Sequence, residues 1–248
     1  MYSNNSRRLG LIQPRGIGDI VISLPIAKYY HNLGFEIHMP IFKDFRKSFE
    51  KTAPYVHFYD IDSLITVDDY YYTPLKLLRD LKCDLIFNLM SHMSTHPELV
   101  QAPALSKFLK FDEYKYALTK VPFHEKWNLS ISRDSIREQA LFEQCLAHKK
   151  GKYIVIQTDG SNINLPLSIF SQLIGDRNYI QLTNITDNIF DWLKILECAD
   201  ELILIDSSIA NIVEQLNFKN TKKLILRSNV SFTPVFKNGW EFITLQNE

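Results

Sequence analysis

Short apolar runs alternate with amphipathic stretches along the whole chain. Residues 9–12 (LGLI) form a compact apolar run that predicts a strand. Residues 20–32 carry apolar side chains at helical spacing, residues 36–41 predict a second strand, 74–81 a helix, and 84–90 (DLIFNLM) a buried strand. Pro25 stands inside the first helix, so that element is expected to begin near it or to kink there. The second half repeats the grammar. Strands are predicted over 153–160, 179–184, 201–208 and 223–229, with helices over 167–174, 187–199 and 209–216 between them. Strands alternating with helices imply parallel sheets with crossover connections, and two such runs imply two α/β halves. Between them, residues 111–128 lack a clear period. Residues 133–147 then read as a helix with Ile136, Ala140, Leu141 and Cys145 facing inward, and HKKGK at 148–152 has the composition of a linker. The expected domains are therefore 1–150 and 151–248.

With 248 residues and 46% hydrophobic side chains, the chain can build substantial cores. Lys plus Arg balance Asp plus Glu at 28 each, which argues against an electrostatic attraction to nucleic acid or anionic lipid. Three widely spaced cysteines, Cys83, Cys145 and Cys198, fit neither a disulfide framework nor a zinc knuckle, and a reducing cytoplasm is expected. The sequence suggests neither a signal peptide nor a membrane span.

The loop that follows the first strand, QPRGIGDIVISLP, raises the question of chemistry. A glycine-bearing turn at the carboxyl end of a parallel strand lets a ligand approach backbone N–H groups at the next helix. A dinucleotide fingerprint fails because Val21 stands three residues after Gly18, and a phosphate loop fails because no Gly-Lys-Ser/Thr follows. Asp19 could cap the helix, which is worth ~1 kcal/mol. A carboxylate there also repels a phosphate, however, so the group facing it is better read as a hydroxyl, for which Asp19 is a candidate general base.

Together with two later blocks, KYIVIQTDGSNINLPLSIFSQLI and LTNITDNIFDWLKILECADELILIDSSIANIVEQLN, the stretch LIQPRGIGDIVISLPIAKYYHNLGFEIHM resembles glycosyltransferase family nine, the heptosyltransferase-like enzymes. The resemblance implies a GT-B architecture, two Rossmann-like parallel-sheet halves facing a cleft. It also implies a nucleotide-sugar co-substrate held mainly by the C-terminal half, no further cofactor and no required metal. By it, Asp19 matches the catalytic base, and Asp206, Ser207 and Ser208 match the loop at the donor diphosphate. Three features depart from the family pattern. Ser208 replaces a glycine, Asn211 stands where a histidine is frequent, and SNINLP lacks the usual basic residue. ADP-heptose is therefore not assigned as the donor. The leaving diphosphate would depend on backbone amides and hydroxyls at helix N-termini.

Strand-end positions extend this picture. Thr158, Asp159, Thr186 and Asp187 fall at strand-to-helix junctions of the second half and, with Asp206, Ser207, Ser208 and Asn211, form the expected donor side. Asp206 could equally be an ordinary N-cap. Arg15, Gly16, Gly18 and His92 are expected on the acceptor side. His92 and His96 have the i, i+4 spacing of zinc ligands, but Met93 stands where a glutamate is needed and Pro97 would break a helix, so a metal is disfavoured. Asp60 and Asp62 form a D-x-D that reads as strand-end and turn chemistry. The run DDYYYTP could stack on a sugar or a base, although burial or a dimer contact is the simpler reading. The sequence thus predicts an inverting, metal-independent glycosyltransferase using a nucleotide sugar, with a glycan or glycolipid acceptor and scope for peripheral membrane contact. A modified nucleobase in DNA is the less favoured acceptor, and a non-catalytic nucleotide-sugar-binding module is a rival of another class. Oligomeric state is left open.

Overall fold

A computed structural model describes residues 7–62, 66–93, 96–147, 151–160, 163–226 and 233–244. The chain divides into two units, Met1–Ser132 and Arg133–Glu248.

The first unit is built on a parallel sheet of β1 (Arg8–Ile12), β2 (Glu36–Phe42), β3 (Val56–Ile61) and β4 (Leu85–Asn88), in the order β3-β2-β1-β4. Its helices are α1 (Ile17–Asn32), α2 (Lys43–Phe49), α3 (Thr73–Asp80), α4 (Pro103–Phe108) and α5 (Phe111–Thr119). From Leu9 to Ile12 every residue of β1 is buried, as expected of a central parallel strand covered on both faces. Gly10 is small for a packing reason: a Cβ there would lie 2.8 Å from a methyl of Leu78 on α3. Helix α5 is stitched to α1 by two hydrogen bonds. The Tyr116 hydroxyl donates to the Ile22 carbonyl at 3.0 Å, and the Tyr30 hydroxyl donates to the Thr119 carbonyl at 2.7 Å. Burial pushes the Tyr116 phenol well above its ordinary pKa, so it remains a donor.

The second unit opens with α6 (Ser135–Leu146). It continues through β5 (Ile154–Ile156), a small antiparallel hairpin of β6 (Asp159–Gly160) and β7 (Ile163–Asn164), and α7 (Leu167–Ile174). Then come β8 (Tyr179–Gln181), α8 (Leu193–Cys198), β9 (Glu201–Ile205), α9 (Ser208–Gln215), β10 (Thr221–Leu226) and β11 (Trp240–Thr244). Its five-stranded parallel sheet has the order β11-β10-β9-β5-β8. The core beside it joins Ile154, Ile156, Phe170, Ile203, Ile205 and Ile225.

Several expectations from sequence are corrected. The units divide at residue 132/133 and not near 150, because α6 is tied into the second unit. Arg133 on its N-terminal side reaches Glu197 at 2.8 Å, and Arg137 reaches Asp191 at 2.7 Å. Residues 148–150 of the expected linker lie outside the described residues. Helix α1 starts at Ile17, eight residues ahead of Pro25, and runs through it. The stretch 111–128 is α5 followed by a 3-10 turn at Phe123–Trp127, and its period is obscured because Lys115 and Lys126 are buried. Asp68–Tyr72 forms a π-helical turn leading into α3. Strand β11 was not anticipated: it is an edge strand with mostly exposed or half-buried side chains, so its pattern is weak.

Candidate functional site

In the first unit the strand order reverses between β1 and β4, the position at which open parallel sheets present ligand loops. The loop from Gln13 to Gly16 leads into α1, and Gly16 is the N-cap residue with a φ of 78°. A side chain would be strained there. A Cβ on Gly16 would also lie 2.8 Å from Oδ2 of Asp19.

Asp19 is the third residue of α1, so it is not the cap. Its Oδ1 instead forms an ion pair with Nζ of Lys115 at 3.0 Å, with the Asp19 side chain 37% exposed and that of Lys115 1% exposed. The acid still lies in the first turn, where the helix dipole favours negative charge. Lys115 comes from α5 and also donates to Gln13 Oε1 at 2.6 Å and to the Leu89 carbonyl at 2.8 Å. Gln13 follows β1 and Leu89 follows β4, so this ammonium spans the reversal point. A buried cation is tolerated because oxygens surround it.

Arg15 lies over the ring of Tyr70 at 5.5 Å, which brings the aromatic run 68–72 against the same loop. Gly18 is the second residue of α1, and His92 is exposed in the irregular segment after β4. His92 and His96 do not share a helix, and His96 Nδ1 lies 3.2 Å from Glu98 Oε1. The D-x-D aspartates are matched to cations of α2, Asp60 to Arg46 at 3.1 Å and Asp62 to Lys43 at 3.3 Å.

In the second unit the order reverses between β5 and β9. Here Gln157 does what Gln13 does in the first. Each follows the first strand of its sheet and turns its Nε2 onto the carbonyl two residues later, Gln13 to Arg15 at 2.9 Å and Gln157 to Asp159 at 3.0 Å. Each offers its Oε1 across the reversal point, Gln157 accepting from the Ser207 hydroxyl at 2.7 Å. Sequence reasoning missed both glutamines and Lys115. The repeated signal was present in Q-P-R-G and Q-T-D-G.

Ser207, and not Asp206, is the N-cap of α9, its Oγ accepting from Ala210 N at 3.4 Å. Ser208 is the first residue of that helix, and Asp206 is buried just before the cap. Asn211 donates to the Ser207 carbonyl at 2.9 Å, while its buried Oδ1 has no hydrogen-bond partner among the described residues. Thr158 donates to Asp159 Oδ2 at 2.9 Å and accepts from Gln181 at 2.8 Å. Thr158, Asp159, Ser207 and Asn211 are thus brought together through Gln157. Thr186 and Asp187 belong to a separate network. Arg137 of α6 reaches Asp187 at 2.6 Å and Thr186 Oγ1 at 3.3 Å, alongside its bond to Asp191.

Among the described residues no group of three or more His, Cys, Asp or Glu side chains is placed to hold a metal ion, and no helix is long and apolar enough to cross a membrane.

Two parallel-sheet units, each with a strand-order reversal and a loop built over it, place the chain among the double Rossmann-like α/β proteins. No protein-family model matches it, and no curated protein is significantly similar to it. Solved structures do match. A family 9 glycosyltransferase from Veillonella parvula is 12% identical with a TM-score of 0.66, over 98% of this chain and 88% of that one. ADP-heptose LPS heptosyltransferase II from E. coli is 13% identical with a TM-score of 0.60, over 98% and 91%. The E. coli heptosyltransferase WaaC, solved with ADP, is 11% identical with a TM-score of 0.55, over 96% and 93%. The protein therefore has the GT-B-like fold of the heptosyltransferases.

Proposed function

We propose that this protein is an inverting, metal-independent glycosyltransferase that moves a sugar from a nucleotide sugar to a hydroxyl of a glycan or glycolipid. The observation that carries this reading is the part-exposed carboxylate of Asp19, fixed above the strand-order reversal of a heptosyltransferase-like fold. Asp19 takes the proton of the acceptor hydroxyl as that oxygen bonds to the anomeric carbon. The bond from that carbon to the diphosphate breaks, its configuration inverts, and the nucleoside diphosphate leaves with the bonding electrons.

Arg15, Gly16, Gly18 and His92 belong to the acceptor side. On the donor side, the N–H groups of the α9 N-terminus at Ser207 and Ser208 face the developing negative charge of the diphosphate. Thr158, Asp159, Asp206 and Asn211 surround that terminus, and Arg137 fixes the loop bearing Thr186 and Asp187. None of these donor-side groups is a Lys or Arg except Arg137, which is already committed to carboxylates. The leaving group is therefore stabilised by amide dipoles more than by a point charge. No further cofactor enters the reaction.

The test is turnover with a panel of nucleotide sugars, begun with ADP-linked ones because WaaC was solved with ADP. Asp19→Ala is expected to lose ~100 to 10,000-fold in rate, the usual contribution of a general base, while its thermal unfolding shows a folded protein. Near-normal turnover in that variant refutes the role of Asp19.

A further inference from the structure

The deepest charged group beside the proposed base is Lys115, and it has no room to serve a ligand. An ammonium carries three protons, and three oxygens already surround this one: Gln13 Oε1 at 2.6 Å, the Leu89 carbonyl at 2.8 Å and Asp19 Oδ1 at 3.0 Å. The ring of Phe111 lies 5.8 Å away on a further side. The side chain is 1% exposed, so neither acceptor nor donor reaches it without dismantling the cage. Its three oxygens come from the end of β1, the end of β4 and the first turn of α1. What such a contact can supply is direction.

The two oxygens of Asp19 are not equivalent. Oδ1 is held by Lys115, whereas Oδ2 lies beside the bare Cα of Gly16, 2.8 Å from where a Cβ would stand, in a turn whose Arg15 and Gly16 are exposed. Among the described residues no hydrogen bond reaches Oδ2. Resting on the glycosyl-transfer reading above, we infer that Lys115 is a positioning residue that anchors Oδ1 and so makes Oδ2 the oxygen that takes the acceptor's proton. Gly16 keeps that oxygen uncovered. Proton transfer requires the base within about 2.6–3.2 Å of the hydroxyl, and an error of ~1 Å in placement can cost on the order of 100-fold in rate.

The test compares wild type, Asp19→Asn, Lys115→Met and the double variant in steady-state transfer, with folding checked by thermal melting. Lys115→Met is expected to lower kcat by ~10 to 100-fold while leaving KM for the nucleotide sugar unchanged. The double variant is expected to be no slower than Asp19→Asn, because anchoring matters only through the carboxylate it anchors. A folded Lys115→Met with wild-type kcat overturns the inference, and so does a double variant whose loss is the product of the two single losses. Should Lys115→Met not fold, Lys115→Gln keeps a polar side chain among the buried oxygens and removes the ion pair to Asp19. A fall in its kcat at constant KM supports the inference, and an unchanged kcat in the folded variant overturns it. Normal turnover in Asp19→Asn defeats the base reading itself. An inactive Asp19→Asn beside a normal Lys115→Met defeats only the anchoring.

Discussion

At Gly16 the backbone has a φ of 78°, and a Cβ would meet Asp19 Oδ2 at 2.8 Å. Two separate costs therefore fall on any replacement: a backbone conformation unfavourable to L side chains, and displacement of a carboxylate three residues away. Gly16→Ala is expected to lower stability by ~1–3 kcal/mol, read as a shift in the urea midpoint at constant slope, and to reduce turnover as Oδ2 is pushed aside. At Gly34, also at positive φ with a value of 86°, a Cβ would meet nothing within 4 Å, so Gly34→Ala should show the backbone cost without the loss of turnover. Equal turnover in the two alanine variants would contradict the role given to Gly16.

Helix α5 buries charge beside its apolar side chains Tyr114 and Tyr116. Besides Lys115 it carries Asp112, whose Oδ2 accepts from Lys126 of the following 3-10 turn at 2.7 Å, both side chains being fully buried. The rings of Trp127 and Phe123 lie 5.5 and 5.9 Å from that ammonium. Breaking a buried pair leaves an uncompensated charge, so Lys126→Met is expected to cost ~3–5 kcal/mol in denaturant unfolding. Removing both partners, as in Asp112→Leu with Lys126→Met, should recover a large part of that loss. A double variant less stable than Lys126→Met would show that the pair does more than neutralise itself. Because α5 also brings Lys115 to Asp19, loss of this pair should reduce turnover as well as stability.

For the whole molecule, the balance of 28 basic and 28 acidic side chains leaves no net field to gather a polyanion, so recognition has to be local. A nucleotide held at the α9 N-terminus should stabilise the chain by mass action, by ~2.7 kcal/mol at a concentration of 100 Kd. Thermal unfolding across adenine, guanine, uracil and cytosine nucleoside diphosphates is expected to show this for the matching base. The shift should shrink in Asn211→Leu, which removes the buried Oδ1, without a hydrogen-bond partner among the described residues, and its neighbouring amide. If the Asn211→Leu shift equals that of wild type, nucleotide binds elsewhere.

Most strands of the two parallel sheets and most helices could be read along the chain, β3 and β11 being the strands that were not, because burying apolar side chains leaves a period that each segment carries within itself. β1, β2, α3, α7 and α9 fall within a residue or two of their predicted spans, whereas β9 ends at Ile205, three residues before the predicted end. That Gly16, Gly18 and Asp19 follow β1, and that Asp-Ser-Ser follows β9, was legible for the same local reason. Lys115 and Lys126 were not, since a buried ammonium and a solvated one look alike in a sequence. The difference is made by partners far away: Gln13 is 102 residues from Lys115. The assignment of α6 to the second unit likewise rests on Arg137 meeting Asp191, 54 residues on. Hydrophobic pattern fixes what a segment becomes. Which charges are taken out of water, and which oxygen of Asp19 meets Lys115, depends on contacts that exist only once distant segments have met, because a charge can be buried only where opposite charge or hydrogen-bonding oxygens already surround it.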